Sequence, residues 1–430
     1  MIAVNLYEHV PIRYEISQID EFDESEEKLY LTKETINQLE RINHSLGTKV
    51  LDIGYNSITP LNHIGVIKTR GHTFQLLPKL ISTDSYGVLE EESRVVMGNV
   101  VKMIEIAYDL KIRRLGPAEL DTLKNSGILE FLIRLYAVEL LHQLNRNIYR
   151  DYHLVRENSR FVKGRILFNV LVREWHRLNE IPIEYTMRGI DNKLNRLLKY
   201  ATIRMRKATR NDSNYSLLTR ILENLSDVSY THITVADFDR LKVTRLNQEY
   251  KPIINLARMF LEGFTFILRK GEITGFSFLI KTDKLYEKFM SRMLRRTVNR
   301  ISRKHGPIQV QLQPSIGRLV RERGHQLKPD IILKHGENTI IIDLKYKILQ
   351  PKINPSINDL YQIYTYGTIK RASKVSLLYP SQTKSFHVQQ HFTTSHSNRE
   401  LPIIIAGINL SRNLLNPKEW QEFKNDLTNY

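Results

Sequence analysis

The sequence predicts an α+β, multidomain protein with a β-rich N-terminal domain, a mainly helical middle and a C-terminal α/β core. Three observations carry that prediction. At 430 residues the chain exceeds what one ordinary hydrophobic core accommodates. Near Ser85 its apolar spacing changes from short runs between turn signals to a three-and-four helical period. Its last third reads helix, strands, helix, strand, strand, the pattern of a sheet covered by helices. The expected segments are 1–84, 85–275 and 276–430.

In the first segment, GVIKTRG followed by HTFQLLPKL reads as strand, turn and strand. The middle begins with EESRVVMGNVVKMIEIAYDL and ILEFLIRLYAVELLHQL, both of helical period. FVKGRILFNVLVREW and the stretch after it are mixed, ending in a basic helix that starts near Asp191 and whose arginines are expected to meet solvent, with phosphate the alternative. A helical, linker-like region without repeats runs on to about Gly275.

The C-terminal segment opens with a helix that Asp283 is expected to cap, its core stripe formed by Tyr286, Met290, Met293, Leu294 and Val298. Glu287 falls on that stripe, so it is either salt-bridged or a site residue, the salt bridge being the simpler reading. Arg292, Arg295, Arg296, Arg300, Arg303 and Lys304 make the same helix the densest phosphate-binding candidate, against the alternative of a solvated charged face. Gly306-Pro307 ends the helix, and IQVQLQ alternates as a strand before Pro314.

Next comes a hairpin, KPDIILKHGENTIIIDLKYK, from Lys328 to Lys347. With Gly336-Glu337 as a two-residue type II′ loop, opposed residue numbers sum to 673, and Asp330 faces Asp343. Opposed side chains lie about 5 Å apart at Cβ, and like charges so placed are unfavourable unless a cation bridges them. Strand alternation places Asp343 and Lys345 on a chemical face and Ile340, Ile342, Leu344 and Tyr346 on a packed one. Pro351 and Pro355 then break the chain, and Asn358 or Asp359 is expected to start a helix carrying Gln362 and Tyr366. KVSLLYP and LPIIIAGINL supply two more strands.

The composition, 41% hydrophobic and 26% charged, is that of a soluble globular protein, and no stretch approaches a membrane span. The N-terminus lacks signal-peptide character, so a cytoplasmic location is expected. The absence of cysteine excludes disulfides, thiolate metal sites and cysteine nucleophiles. A net charge of +18 points to a polyanionic partner, with nucleic acid the first candidate.

Mg²⁺ takes hard oxygen ligands and keeps several waters, a demand met by Asp330, Asp343 and the Leu344 carbonyl. A metal so held stabilises charge on a scissile phosphate, while Lys345 orients or deprotonates the attacking water. Gln362 and Tyr366, one turn apart, are placed to hydrogen-bond the site or the DNA backbone. The alternative is a surface hairpin with a structural Asp343–Lys345 salt bridge.

The order Glu287, Pro329-Asp330, Asp343-Leu344-Lys345, Gln362-x-x-x-Tyr366 resembles the PD-(D/E)xK nuclease superfamily. More specifically the chain is similar to McrC, the endonuclease subunit of McrBC-type restriction systems, in GVIKTRGHTFQLLPKL, YRDYHLVRENSRFVKGRILF, KLNRLLKYATIR and FLIKTDKLYEKF. It departs from the usual Asp-Ala-Lys by Leu344, at a position whose backbone does the work. The resemblance implies a restriction-endonuclease-like core, catalytic roles for Glu287, Asp330, Asp343 and Lys345, and double-stranded DNA as substrate. It also implies a GTP-hydrolysing McrB-like AAA+ partner that contacts the N-terminal part and normally reads 5-methylcytosine. This chain has no G-x-x-x-x-G-K-[ST] loop, so GTP is expected on the partner. The competing expectations are a non-catalytic DNA-binding adaptor that activates an NTPase, and a nuclease acting alone.

Overall fold

The computed structural model describes residues 2–23, 28–80, 90–110, 117–173, 180–269, 272–318, 326–347, 355–382, 390–392 and 401–428. The expected change of pattern at Ser85 and the chain break at Pro351 lie outside these residues. The protein is α+β, and its residues pack into two compact units, Met1–Leu129 with Gly263–Tyr430, and Glu130–Glu262. The first unit draws on both ends of the sequence.

Its N-terminal half holds two five-stranded sheets. One runs Ile2–Tyr7, His72–Leu77, His63–Lys68, Glu272–Lys281, Phe264–Arg269. The expected strand–turn–strand forms its middle, with Lys68 opposite Thr73 and Gly65 opposite Leu76. The β-rich segment is not closed on itself, because Glu272–Lys281 pairs antiparallel with His63–Lys68 and completes the sheet. Gly65 permits that pairing: at φ 142 it sits so close to the Phe278 carbonyl that any Cβ would collide with it. The second sheet, centred on Ile12–Ile16, packs Ile12, Leu29, Leu31 and Ile58 into one core with Leu6, Phe74 and Leu76 of the first.

Strand Glu272–Lys281 runs directly into the helix Thr282–His305. Leu285, Tyr286, Phe289, Met290, Met293, Leu294 and Val298 are buried along its expected stripe. The helix starts two residues earlier than expected. Lys281 is the N-cap residue, and Asp283 lies within the first turn, where its carboxylate accepts from Lys284 N–H. An acidic group there favours the helix dipole without capping it.

The C-terminal sheet has six strands in the order Gln309–Leu312, Ile331–His335, Asn338–Leu344, Lys374–Ser381, Ile403–Asn409, Gln390–Phe392. The central three, Asn338–Leu344, Lys374–Ser381 and Ile403–Asn409, are parallel. The hairpin keeps the expected register, Ile331 opposite Ile342 through His335 opposite Asn338. Gly336 turns at φ 57 while Glu337 stays out of positive φ, as a type II′ loop requires.

The division into one packed and one chemical face does not hold. Ile341, on the same face as Asp343, is fully buried with Ile363 and Tyr366 of the helix Ile357–Ile369. Ile342 and Leu344 are buried on the opposite face, where Tyr346 meets Tyr286. The strand is covered on both faces, so only its end is open to chemistry. The helix itself begins after Ser356, whose hydroxyl accepts from Asp359 N–H, ahead of the starts expected at Asn358 or Asp359.

The second unit combines a three-stranded sheet, Arg165–Ile166, Ile181–Gly189 and Asp151–Ser159, with helices that include Lys193–Ala208 and Asp212–Asn224. The basic helix begins at Asn192, and Arg196 is drawn into a 2.6 Å ion pair with Asp191. No helix among the described residues is long and apolar enough to cross a membrane.

Candidate active site

The hairpin places Asp330 one residue before its first strand and Asp343 next to the end of its second. The register continued by one residue sets the two opposite each other. Leu344 N–H donates to Asp330 Oδ2 at 2.7 Å, and the Asp330 carbonyl accepts from Gln313 N–H at 2.8 Å, so both sides of Asp330 are fixed by backbone. A strand residue directs its N–H and C=O to the same side. The Leu344 carbonyl therefore also opens toward Asp330.

Burial raises the Asp330 carboxyl well above the usual carboxylate range, with Asp343 and Glu287 adding to the shift against the opposing Leu344 N–H. Asp343 is raised as well, chiefly by burial, which outweighs the lowering effect of Lys345. Two carboxylates held together away from water resist ionising together, which marks the place as one that binds positive charge.

Lys345 sits just past the strand. Its Nζ lies 2.8 Å from Asp343 Oδ2, donates to Gln362 Oε1 at 2.6 Å and stands 3.8 Å from Asp359 Oδ1. Burial alone would lower its pKa, but Asp343, Asp359 and Asp330 outweigh burial and raise it. The contact with Asp343 is an ion pair of poor direction, so the buried Oδ2 receives no well-aligned hydrogen bond.

Gln362 also donates to the Tyr366 hydroxyl at 2.8 Å. Tyr366 is buried in the sheet core, so it holds Gln362 from behind and does not face solvent. Glu287, on the long helix, is mostly covered, pairs with Lys284 at 2.8 Å and accepts from the Gln313 side chain. It is thus both salt-bridged and within electrostatic reach of Asp330 and Asp343.

The arginines are not gathered at this point. Arg292 and Arg296 lie about 140° and 180° around the helix from Glu287 at 100° per residue. Both turn to Asp109, at 3.6 Å and 4.0 Å. Arg295 is exposed, about 80° from Glu287 by the same spacing.

Two groups around the site were not assigned to it from the sequence. Asp359 is buried and accepts from Lys347 Nζ at 2.8 Å and the Tyr379 hydroxyl at 3.2 Å. Burial would raise its pKa, but Lys347, Ser356 and Lys345 outweigh that and hold it below the usual range. The spacing Ser356-x-x-Asp359 ahead of an apolar run is a helix-start signal that points to it. Gln313, in positive φ at 46°, bridges Glu287 and the Asp330 backbone, and only its place before Pro314 draws attention to it.

The donor set suits a hard cation. Asp330, Asp343 and the Leu344 carbonyl are all oxygen ligands, and a buried Asp343 oxygen lacks a directed partner. Among the described residues no three acidic or histidine side chains form a cage by themselves. That is compatible with an ion that keeps several of its waters.

Residues 58–380 match the family described as the McrBC 5-methylcytosine restriction system component. A relative from Escherichia coli (strain K12), the Type IV methyl-directed restriction enzyme EcoKMcrBC, is 22% identical over 261 residues, covering 60% of this chain and 74% of that protein. The fold resembles a chain in the refined half-complex from a tetradecameric assembly of Thermococcus gammatolerans McrB AAA+ hexamers with bound McrC. That match has a TM-score of 0.63 and 21% identity and covers 99% of both chains; it is a likeness of fold.

Proposed function

The chain belongs to the McrBC 5-methylcytosine restriction system component family, and from that premise we propose that it is the DNA-cutting subunit of a GTP-driven, modification-dependent restriction complex. The observation that supports this most is the buried Asp330–Asp343 pair at the open end of the hairpin, with Lys345 2.8 Å from Asp343. In this reading the C-terminal sheet is a PD-(D/E)xK nuclease core, double-stranded DNA is the substrate and a McrB-like AAA+ hexamer is the partner that binds GTP. The Thermococcus gammatolerans assembly, in which McrB AAA+ hexamers have bound McrC, supports the choice of partner.

Asp330, Asp343 and the Leu344 carbonyl would hold Mg²⁺, which when bound supplies Lewis-acid stabilisation of phosphate charge and a more acidic water. Lys345 is kept cationic by its acidic neighbours. It is placed to orient the attacking water and to balance charge on the scissile phosphate. Gln362, gripped by Tyr366, gives the Lys345 ammonium a second anchor beside Asp343. Glu287 and Gln313 hold the Asp330 side of the cleft.

The test is DNA cleavage by the reconstituted complex with Mg²⁺, GTP and methylated or unmethylated DNA. Asp343→Ala and Lys345→Ala should each abolish cutting while partner GTPase stimulation persists. Undiminished cutting by Asp343→Ala would refute the assignment. Stimulation by the native chain with no Mg²⁺-dependent cutting would establish a non-catalytic adaptor instead.

A further inference from the structure

We propose that Glu8, 338 residues before Tyr346 in the chain, is a positioning residue for Lys345 and sets the geometry of the cutting site from the N-terminal sheet. The proposal rests on the nuclease reading above. Glu8 follows the first strand, and its N–H donates to Leu77 O at 2.9 Å, which anchors its backbone to the sheet. Its side chain is 1% exposed.

A carboxylate in such a place is costly unless a partner compensates for lost water, and among the described residues no cation pairs with it. What it has is one directed bond, the Tyr346 hydroxyl donating to Oε2 at 2.9 Å. The Thr282 side chain and the Lys79 backbone also stand near the carboxylate, while Oε1 closes no well-formed hydrogen bond.

Tyr346 is the residue after Lys345, and the regular strand has ended at Leu344. Beyond that point the last sheet bond is Lys345 N–H to Leu378 O at 3.0 Å. Two tyrosines reinforce it. The Tyr346 ring lies 5.7 Å from that of Tyr286, and the Tyr286 hydroxyl donates to the same Leu378 carbonyl at 3.3 Å. Glu8 thus fixes Tyr346, Tyr346 packs on Tyr286, and Tyr286 shares the carbonyl that holds the Lys345 backbone. A lysine that must meet Asp343 and Gln362 together depends on where that backbone lies. If Glu8 merely filled space between two sheets, an apolar side chain would serve better and the hydroxyl bond would be incidental.

Three single variants and one double variant of the full chain separate these roles. Tyr346→Phe removes only the donor and keeps the ring, Glu8→Ala removes the acceptor, and Glu8→Gln keeps an acceptor. In the reconstituted complex Tyr346→Phe and Glu8→Ala should each lower the cleavage rate at saturating DNA by about tenfold or more, as loss of residues supporting a metal site does. Partner GTPase stimulation should stay at the native level, Glu8→Gln should recover most of the rate, and Glu8→Ala/Tyr346→Phe should cut no more slowly than either single variant. Hydrogen exchange at the Lys345 amide, measured without metal or DNA, should quicken in both damaging variants and return with Glu8→Gln. Unchanged exchange and cleavage in Tyr346→Phe, or Glu8→Gln as impaired as Glu8→Ala, would overturn the proposal. A native complex that cuts no DNA refutes the nuclease reading instead, and the exchange rates then still decide whether Glu8 holds Lys345.

Discussion

Replacing Glu8 with glutamine should stabilise the unit formed by residues 1–129 and 263–430 at pH 8 and leave it nearly unchanged at pH 4. Burial pushes the Glu8 carboxyl from 4.5 up to about 7, against the lowering effect of the Tyr346 hydroxyl. The folded protein therefore binds this proton more tightly than the unfolded chain does. Its stability is fully present below pH 4.5 and declines as pH rises, until Glu8 is ionised in both states above about pH 7. Each tenfold change in affinity is worth about 1.4 kcal/mol, so the span from 4.5 to about 7 amounts to about 3 kcal/mol. Glutamine does not titrate and escapes that loss. Urea unfolding in a Trp175→Phe background, in which Trp420 alone reports, should show the Glu8→Gln advantage growing by about 3 kcal/mol between pH 4.5 and 8. Other titrating groups cancel in the difference between the two proteins. An advantage that stays flat across that range, or shrinks, would show that Glu8 is not a desolvated acid and would refute the reasoning.

Three other outcomes follow from the site and its surroundings. Asp359→Ala should take the paired carboxylate from Lys347 and the acceptor from the Tyr379 hydroxyl and slow cleavage by about 10- to 100-fold, read as a fall in kcat with DNA affinity retained. Ile341→Ala should destabilise the C-terminal sheet by about 2–5 kcal/mol, because a fully buried side chain between Ile363 and Tyr366 leaves a cavity, and urea unfolding measures it. Arg295→Ala should reduce the slope of log DNA affinity against log salt by about 0.9, one phosphate contact, while Arg296→Ala should reduce it less because Arg296 is directed to Asp109.

Much of the local structure was legible in the sequence because it is local. A two-residue loop at Gly336-Glu337 fixes every pair in the hairpin, so the approach of Asp330 to Asp343 follows from counting. The core stripe of the long helix follows from its period in the same way. What periodicity cannot supply is the partner. Nothing in ITGFSFLIK indicates that it completes a sheet begun more than two hundred residues earlier, nor that Glu8 ends beside Tyr346. The cover over both faces of Asn338–Leu344 comes from strands and helices chosen by the tertiary fold, which is why alternation alone misjudged one face. The arginine cluster shows the same limit: charge density marks the helix, but only helical rotation tells that Arg292 and Arg296 turn to Asp109 while Arg295 lies nearer the Glu287 side.

That completion of the N-terminal sheet by Glu272–Lys281 sets an order of events during synthesis. When His63–Lys68 leaves the ribosome, the strand that will cover its edge has not been made, and about two hundred residues separate them. At roughly 5–20 residues per second the delay is about ten to forty seconds. The unit Glu130–Glu262, contiguous in sequence, is translated whole within that interval and is free to fold first. Its predecessor waits with the His63–Lys68 edge unpaired, an open template for pairing with another chain until Glu272–Lys281 is made.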